Sequence, residues 1–290
     1  MDAVELTREL IKIESTDPGS WETEIGEYIC DYLKESGADT EAYEVEPGRK
    51  IVKGVVKGAK AHPALVFICH MDTVVKGEGW TKNAFGAEVS DEKIWGRGAC
   101  DMKSGLASAL TAFAEVAKSQ KENAEDIEKL PGTLVFIGTV DEEADMKGSE
   151  AAVQQGWIQK EDWVLDMEPT SGMIQMAHKG RTWFELNVEG ITAHASMPEK
   201  GADAIAGIAF MIAEIRKAMG EVPTHEELGK STVTFGQISG GYSPYVVSDH
   251  SMVTIDMRLV PPMNTQEAEK IVRKAIEIGE NAVPGVNGSY

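Results

Sequence analysis

Four groups of residues in the first 170 positions carry side chains that bind divalent metal ions. Each group alone has an ordinary explanation, such as an incidental His-x-Asp pair, a solvated acidic loop or, for Asp101, a cap on the helix that follows. Taken together, one His and several carboxylates suit a hard or borderline divalent ion such as zinc. The groups are His70-Met71-Asp72, Gly96-Arg97-Gly98-Ala99-Cys100-Asp101, Asp141-Glu142-Glu143 and Glu168-Pro169.

Three of these groups follow short apolar segments, at 64–69, 133–140 and 163–167. Segments so rich in Val, Ile, Leu and Phe are typical of strands buried on both faces. Helices are predicted over 4–16, 22–36 (with Ser20 as N-cap) and 102–118. Alternating strands and helices predict an α/β domain with a central, mostly parallel sheet. Because the carboxyl ends of parallel strands line the ligand crevice, we expect the four groups to converge there.

A different pattern follows Gly180, with strands predicted over 181–189, 232–238 and 252–259 and helices over 203–219 and 265–280. The order βαββα is that of a ferredoxin-like α+β unit without its last strand. We therefore predict the N-terminal part of a catalytic domain over 1–179 and a lid or dimerisation domain over 180–290 that lacks its last strand. We expect the chain to be part of a longer protein. The charged segment 121–129 is predicted to be a solvated loop.

Composition narrows the classes of partner. The 290 residues carry 28 Lys and Arg against 48 Asp and Glu, a net charge of −20. Such an acidic surface repels phosphate backbones and anionic lipids, which argues against nucleic-acid or membrane binding. Three sparse cysteines (Cys30, Cys69 and Cys100) without an export signal favour the cytoplasm. Cys69 adjoins His70 in a strand and so faces the other way, as a core residue rather than a nucleophile.

The chain resembles the M20 family of dinuclear zinc amidohydrolases and peptidases. This family includes acetylornithine deacetylase, succinyl-diaminopimelate desuccinylase, aminoacylase and carboxypeptidase G2. The matching segments run in family order over nearly the whole chain. They are His70-Met71-Asp72-Thr73-Val74-Val75, Gly96-Arg97-Gly98-Ala99-Cys100-Asp101-Met102-Lys103-Ser104-Gly105, Asp141-Glu142-Glu143, Glu168-Pro169-Thr170, Gly190-Ile191-Thr192-Ala193-His194-Ala195 and Asp256-Met257-Arg258.

The resemblance implies a zinc-exopeptidase-like catalytic domain with two zinc ions per active site, Co²⁺ or Mn²⁺ being alternatives. His70 and Glu168 would bind one ion, Glu143 the other, and Asp101 would bridge them. Asp72 would orient the ring of His70. Glu142 would be the general base that takes a proton from zinc-bound water and passes it to the leaving amine.

In the second domain the resemblance implies a homodimer in which His194 reaches the partner subunit's active site and donates a hydrogen bond to the oxyanion. Arg258 matches a position near the substrate carboxylate, although a paired Arg at a strand end is the alternative. The segment Tyr245-Val246-Val247-Ser248 replaces the family's Asn-x-x-Pro. No His here matches the family's second-zinc His, so we expect the 290-residue chain by itself to be inactive, with a damaged second site.

The implied reaction is hydrolysis of the amide bond of an N-acyl amino acid or small peptide. Two alternatives stay open. One is a dipeptidase or carboxypeptidase of the same family, and the other is a catalytically silent binding protein on this fold. The sequence identifies neither the acyl group nor the preferred amino acid.

Overall fold

The computed structural model describes residues 1–122 and 130–290, so most of the predicted loop at 121–129 lies outside the described residues. The described residues form two compact units, Met1–Met173 and Ile174–Tyr290. Among these residues, no helix is both long enough and apolar enough to cross a bilayer.

The first unit alternates helices with strands, as the sequence predicts. Its elements are α1 (Ala3–Lys12), β1 (Thr16–Asp17), α2 (Thr23–Ser36), β2 (Asp39–Glu46), β3 (Arg49–Val56), β4 (Leu65–His70), β5 (Thr73–Val74), β6 (Glu88–Ser90), β7 (Lys93–Trp95), a π-helical turn (Ala99–Lys103), α3 (Ser104–Glu122), β8 (Leu134–Thr139), α4 (Lys147–Gln154) and β9 (Trp163–Asp166).

A five-stranded sheet in the order β2-β3-β8-β4-β9 forms the centre of this unit. Strands β8, β4 and β9 are mutually parallel, whereas β2 and β3 add two antiparallel pairings. The α/β class is confirmed, but the sheet is mixed rather than mostly parallel. The hairpin of β2 and β3 escapes prediction because Lys and Glu interrupt its apolar alternation.

Helix boundaries differ from the prediction where side chains have other partners. The apolar stripe of α2, with Ile25, Ile29 and Leu33, is fully buried, and Gly37 ends the helix in the left-handed conformation. The N-terminal boundary residue is Glu22 rather than the predicted Ser20, and it makes no side-chain cap. Its carboxylate is instead bound by Arg49.

The prediction that all three apolar segments are buried on both faces is wrong for β9. Strand β8 is buried at every position. Among the strands that the structure describes, β9 pairs with β4 alone, and Trp163 in it is 72% exposed. An edge strand leaves a row of main-chain groups unpaired, and all four residues of β9 are also exposed in the described structure.

The second unit contains β10 (Gly180–Glu189), a 3₁₀ turn (Pro198–Lys200), α5 (Ala204–Glu221), β11 (Thr232–Gly240), β12 (His250–Leu259), α6 (Thr265–Ala282) and β13 (Asn287–Ser289). Its antiparallel sheet has the order β11-β12-β10-β13. The buried faces of β10 and β12 pack with α5 and α6 in one core.

The last strand of this unit, predicted to be missing, is present as the short β13. Asn287, Gly288 and Ser289 pair antiparallel with the end of β10. Sequence patterns do not show this strand because Asn, Gly and Ser are poor strand formers, and the pairing depends on the neighbouring strand. The βαββαβ order of a ferredoxin-like unit is therefore completed in the described structure.

Candidate metal centre

The carboxyl ends of β4, β8 and β9 bring together the side chains that the sequence singled out. His70 is the last residue of β4, the Asp141–Glu143 segment follows β8, and Glu168 lies two residues beyond β9. Because the strands are adjacent and parallel, their ends open on the same edge of the sheet. The predicted convergence of these groups is what the structure shows.

His70 lies at the centre of the group and is almost fully buried. Its Nδ1 is 2.9 Å from the main-chain oxygen of Asp72, while its Nε2 is 3.0 Å from Oδ1 of Asp101 and 3.4 Å from Oε1 of Glu168. If Nδ1 donates to the carbonyl, the Nε2 lone pair faces the two carboxylates. Cys69 points away from the site into the hydrophobic core, as predicted, and burial raises the pKa of its thiol.

Asp101 reaches His70 from the π-helical turn that precedes α3. The turn follows Gly98, where φ is +77° and a Cβ would lie 2.7 Å from Cγ2 of Thr73, so glycine is required there. It ends at Lys103, whose buried ammonium group donates to the carbonyls of Leu10 (3.0 Å) and Ile13 (2.7 Å) at the end of α1.

A second glycine, Gly105, allows α3 to pack closely against the chain just before Glu168. A Cβ on Gly105, in the first turn of α3, would lie 2.2 Å from the main-chain oxygen of Met167. Only glycine lets α3 pack so closely against the residue before Glu168. Gly98 and Gly105, both in the matching segment 96–105, therefore shape the backbone around the candidate ligands.

The carboxylate of Asp72 holds the turn that carries Glu142 and Glu143. Its Oδ1 accepts the N–H of Glu142 at 3.2 Å, and its Oδ2 accepts the N–H of Glu143 at 2.9 Å. The same carboxylate lies 3.7 Å from Nδ1 of His70. Burial alone would raise the pKa of Asp72, but the ring of His70 and the two amides lower it.

The described residues fit a divalent metal ion. Ligand atoms of His70, Asp101 and Glu143 lie within 4.8 Å of one another, and so do those of His70, Glu142 and Glu168. Both sets combine an imidazole nitrogen with carboxylate oxygens, which suits zinc and related ions. Glu142, predicted to be a base, is therefore also within reach of a ligand position.

Electrostatics support this fit. Burial, together with the carboxylates of Asp101, Asp166 and Glu142, raises the pKa of Glu168 to about 7. Burial acts to lower the pKa of His70, yet its contacts with Asp101 and Asp72 raise it to about 11. The raised pKa values of Glu168 and His70 mean that these two groups hold protons that a cation would displace.

In the second unit, His194 is exposed on the loop after β10. Its Nδ1 accepts the N–H of Ser196 at 3.2 Å and lies 2.8 Å from the Ser196 hydroxyl. The neutral ring consequently carries its proton on Nε2, which is left as a donor. The segment 245–248, which replaces the family's Asn-x-x-Pro, contacts this loop: the main-chain N–H of Ala195 donates to the carbonyl of Tyr245 at 3.0 Å.

Arg258 lies near the end of β12 and is bound by its neighbour on the same side of the strand. Its Nε and one terminal nitrogen donate to the two carboxylate oxygens of Asp256, at 2.8 and 3.0 Å. The indole of Trp183 donates to the same carboxylate at 2.9 Å. The structure thus shows the paired strand-end Arg that the sequence left open, and contact with a substrate stays a prediction.

Two residues near the site were not assigned roles from the sequence. Lys103 was visible within its motif, but nothing in the sequence shows that its ammonium group binds the end of α1. Arg49 begins β3 and binds the carboxylate of Asp141 at 3.0 Å. No sequence signal marks a single Arg as buried, because arginine is usually exposed.

Comparisons with known proteins agree with this geometry. Residues 176–281 match the peptidase dimerisation domain of the M20 family, and residues 51–182 match peptidase family M28. The succinyl-diaminopimelate desuccinylase of Wolbachia pipientis wMel is 30% identical, over 74% of this chain and 54% of that protein. The acetylornithine deacetylase of Vibrio campbellii is 27% identical, over 94% of this chain and 71% of that protein.

A solved structure extends the comparison to the fold. The M20 family metallo-carboxypeptidase Sso-CP2 from Sulfolobus solfataricus has a TM-score of 0.71 at 16% identity, covering 99% of this chain and 78% of that one. The chain spans about half the length of several curated relatives that it matches. These findings confirm the resemblance that the motifs indicate: the chain is a relative of the M20 metallopeptidases and amidohydrolases.

Proposed function

We propose that this chain belongs to a metal-dependent hydrolase that cleaves the amide bond of an N-acyl amino acid or a small peptide. The observation that carries the proposal is the gathering of Asp101, Glu142, Glu143 and Glu168 around His70 at the carboxyl ends of three parallel strands. Relatives named as a desuccinylase and a deacetylase support this reaction class.

His70 and Glu168 would hold one ion, Glu143 a second, and Asp101 would bridge the two. The ligand atoms of Asp101 and Glu143 lie within 4.8 Å of His70, and so do those of Glu142 and Glu168, which supports a shared metal centre around this histidine. When bound, divalent ions of this kind polarise a carbonyl oxygen and lower the pKa of water. Zinc fits the nitrogen and oxygen ligands, with Co²⁺ and Mn²⁺ as alternatives.

Glu142 would be the general base, taking a proton from the attacking water and delivering it to the leaving amine nitrogen. Its main-chain N–H is fixed by Asp72, so the side chain projects from an anchored turn. Glu143 is anchored in the same way, at 2.9 Å. The two neighbouring glutamates would thus divide proton transfer and metal binding between them.

His194 would donate its Nε2 proton to the oxyanion of the reacting amide in the active site of a partner subunit. The hydrogen bonds of Ser196 to Nδ1 support this role because they leave the proton on Nε2. The match to a dimerisation domain supports a homodimer through the second unit. Arg258 would contact a substrate carboxylate once it is released from Asp256. We also propose that the protein is located in the cytoplasm.

The test compares Glu142→Gln with Glu143→Gln in the full-length, zinc-loaded protein, on a panel of N-acetyl and N-succinyl amino acids and dipeptides. We expect Glu142→Gln to keep its zinc and lose about 10²–10⁴-fold in kcat, as for a general base. Glu143→Gln should instead lose zinc. The proposal is wrong if the protein hydrolyses none of these amides, or if Glu142→Gln stays fully active. The panel also separates an amino-acid deacylase from a dipeptidase.

A further inference from the structure

A buried arginine near the candidate metal centre binds the residue that precedes Glu142. Arg49, the first residue of β3, is only 6% exposed. All five of its N–H groups have carboxylate partners, and its Cζ lies over the ring of Trp21, 4.4 Å from the ring centre. The partners are Glu22, through Nε at 2.8 Å and through one terminal nitrogen, Asp17 at 2.7 Å, Asp141 at 3.0 Å and Glu46 at 3.3 Å.

These partners come from separate parts of the first unit. Asp17 lies in β1, Glu22 precedes α2, and Asp141 follows β8. All three carboxylates are at most 7% exposed, so each needs a counter-charge in the interior. Only a guanidinium, with its rigid fork of five donors, can bind three such groups at once. Replacing it by lysine would keep the charge and lose the geometry.

Asp141 connects this arginine to the metal centre. It adopts φ of +66°, a left-handed conformation that is rare outside glycine. Its N–H donates to Oε1 of Glu22 at 3.2 Å, its Oδ1 accepts from Arg49, and its Oδ2 accepts the N–H of Lys147 at 3.3 Å. The chain is therefore held in this conformation from both its backbone and its side chain.

The left-handed conformation of Asp141 orients the peptide groups of Glu142 and Glu143, which follow it. The N–H groups of Glu142 and Glu143 then meet the two carboxylate oxygens of Asp72. If Asp141 relaxed to a negative φ, the peptide groups that follow it would rotate away from Asp72. The carboxylates of Glu142 and Glu143 would move with them, away from His70.

We propose that Arg49 is a positioning residue for the turn at Asp141, Glu142 and Glu143. Its guanidinium locks Asp141 in the left-handed conformation and thereby aims one glutamate at the reacting water and the other at the metal. It acts through Asp141 and touches neither ligand nor substrate. This role rests on the proposed function of Glu142 and Glu143.

The experiment measures zinc affinity by competition with a chelator, and kcat and KM on the best amide of the panel, for Arg49→Met, Arg49→Lys and Asp141→Asn. Leu33→Ala is the control, because Leu33 is a fully buried core residue on the same helix that Glu22 precedes. It reports what a general loss of stability does to both readouts.

We expect Arg49→Met to lower zinc affinity about 10- to 100-fold, as the loss of an outer partner of metal ligands does. Its kcat should fall about 100-fold while KM changes little, because a base displaced by about 1 Å transfers protons poorly. Arg49→Lys should recover only part of each loss. Asp141→Asn should fold more readily than Arg49→Met and show smaller losses of the same kind.

A double variant decides whether Arg49 acts through Asp141. If it does, Arg49→Met combined with Asp141→Asn loses little more than Arg49→Met alone, because both changes release the same turn. Losses that multiply overturn the inference. So do Arg49 variants that keep the zinc affinity, kcat and KM of Leu33→Ala. A protein that binds zinc but hydrolyses nothing overturns the proposed reaction, while the affinities still test Arg49.

Discussion

Replacing Asp72 by Asn tests whether this residue contributes to zinc affinity as well as to the stability of the fold. Asp72 is fully buried, and its two oxygens accept the N–H groups of Glu142 and Glu143. An Asn side chain turns one acceptor into an NH₂ group that faces an N–H donor. One charge-assisted hydrogen bond is lost, which corresponds to about 1.5–3 kcal/mol in the free energy of unfolding.

The same change should weaken zinc binding. The turn that carries Glu143 loses an anchor, and the ring of His70 loses the negative charge 3.7 Å from its Nδ1. Loss of such a partner lowers metal affinity about 10- to 100-fold. Chemical denaturation with chelator present gives the stability change, and chelator competition gives the affinity.

The chain offers a close control in Asp162→Asn. Asp162 also has a fully buried side chain, accepts two main-chain N–H groups (Ala64 at 2.7 Å and Gln159 at 2.8 Å), and contacts a histidine, His62, at 2.8 Å. It precedes β9, whereas the candidate site lies beyond the other end of that strand. Asp162→Asn should therefore destabilise the protein by a similar amount and leave zinc affinity unchanged. Equal zinc affinity in the two variants would refute the role given to Asp72.

Three further outcomes are expected. In chelator-treated protein, His70→Gln should cost less stability at pH 10 than at pH 6.5. The pKa of His70 is raised from 6.5 to about 11 in the folded protein, so its stabilising effect is complete below pH 6.5 and fades as the pH rises towards 11. A pH-independent difference in denaturation midpoint would contradict this. Lys103→Met should lower the free energy of unfolding by about 1–3 kcal/mol, since the carbonyls of Leu10 and Ile13 lose their donor, and unchanged urea denaturation would argue against it. Val164→Lys should reduce self-association through the exposed β9 edge, measured by light scattering, and equal scattering would count against the edge as its cause.

The sequence predicts the site better than the surroundings of the site. Residues such as His70 and Glu168 follow strongly apolar strands, and strand ends in a parallel arrangement meet at one edge. The pattern therefore locates the candidate ligands before any coordinates are known. Their motif order adds the family resemblance, which the comparisons confirm.

What the sequence could not predict depends on long-range contacts. Arg49 looks like any surface arginine, and only the packing of β1, α2 and β8 around it makes it a buried counter-charge. Strand β9 looks like a core strand because its composition is apolar, while its exposure depends on having a single neighbour in the sheet. Position in a sheet is not encoded within the strand itself.

The edge position of β9 makes the candidate ligands unequal in their mobility. Strand β9 pairs with β4 over only four residues, from Trp163 to Asp166, and Glu168 lies two residues further on. Amide hydrogens in such a strand exchange by fraying, whereas those of the buried β8 exchange through larger opening. An ion bound by both His70 and Glu168 would link the end of β9 to the end of β4 and so restrain the edge strand. Bound zinc should accordingly slow amide exchange in β9 more than in β8, because Glu168 would hold the ion beside His70.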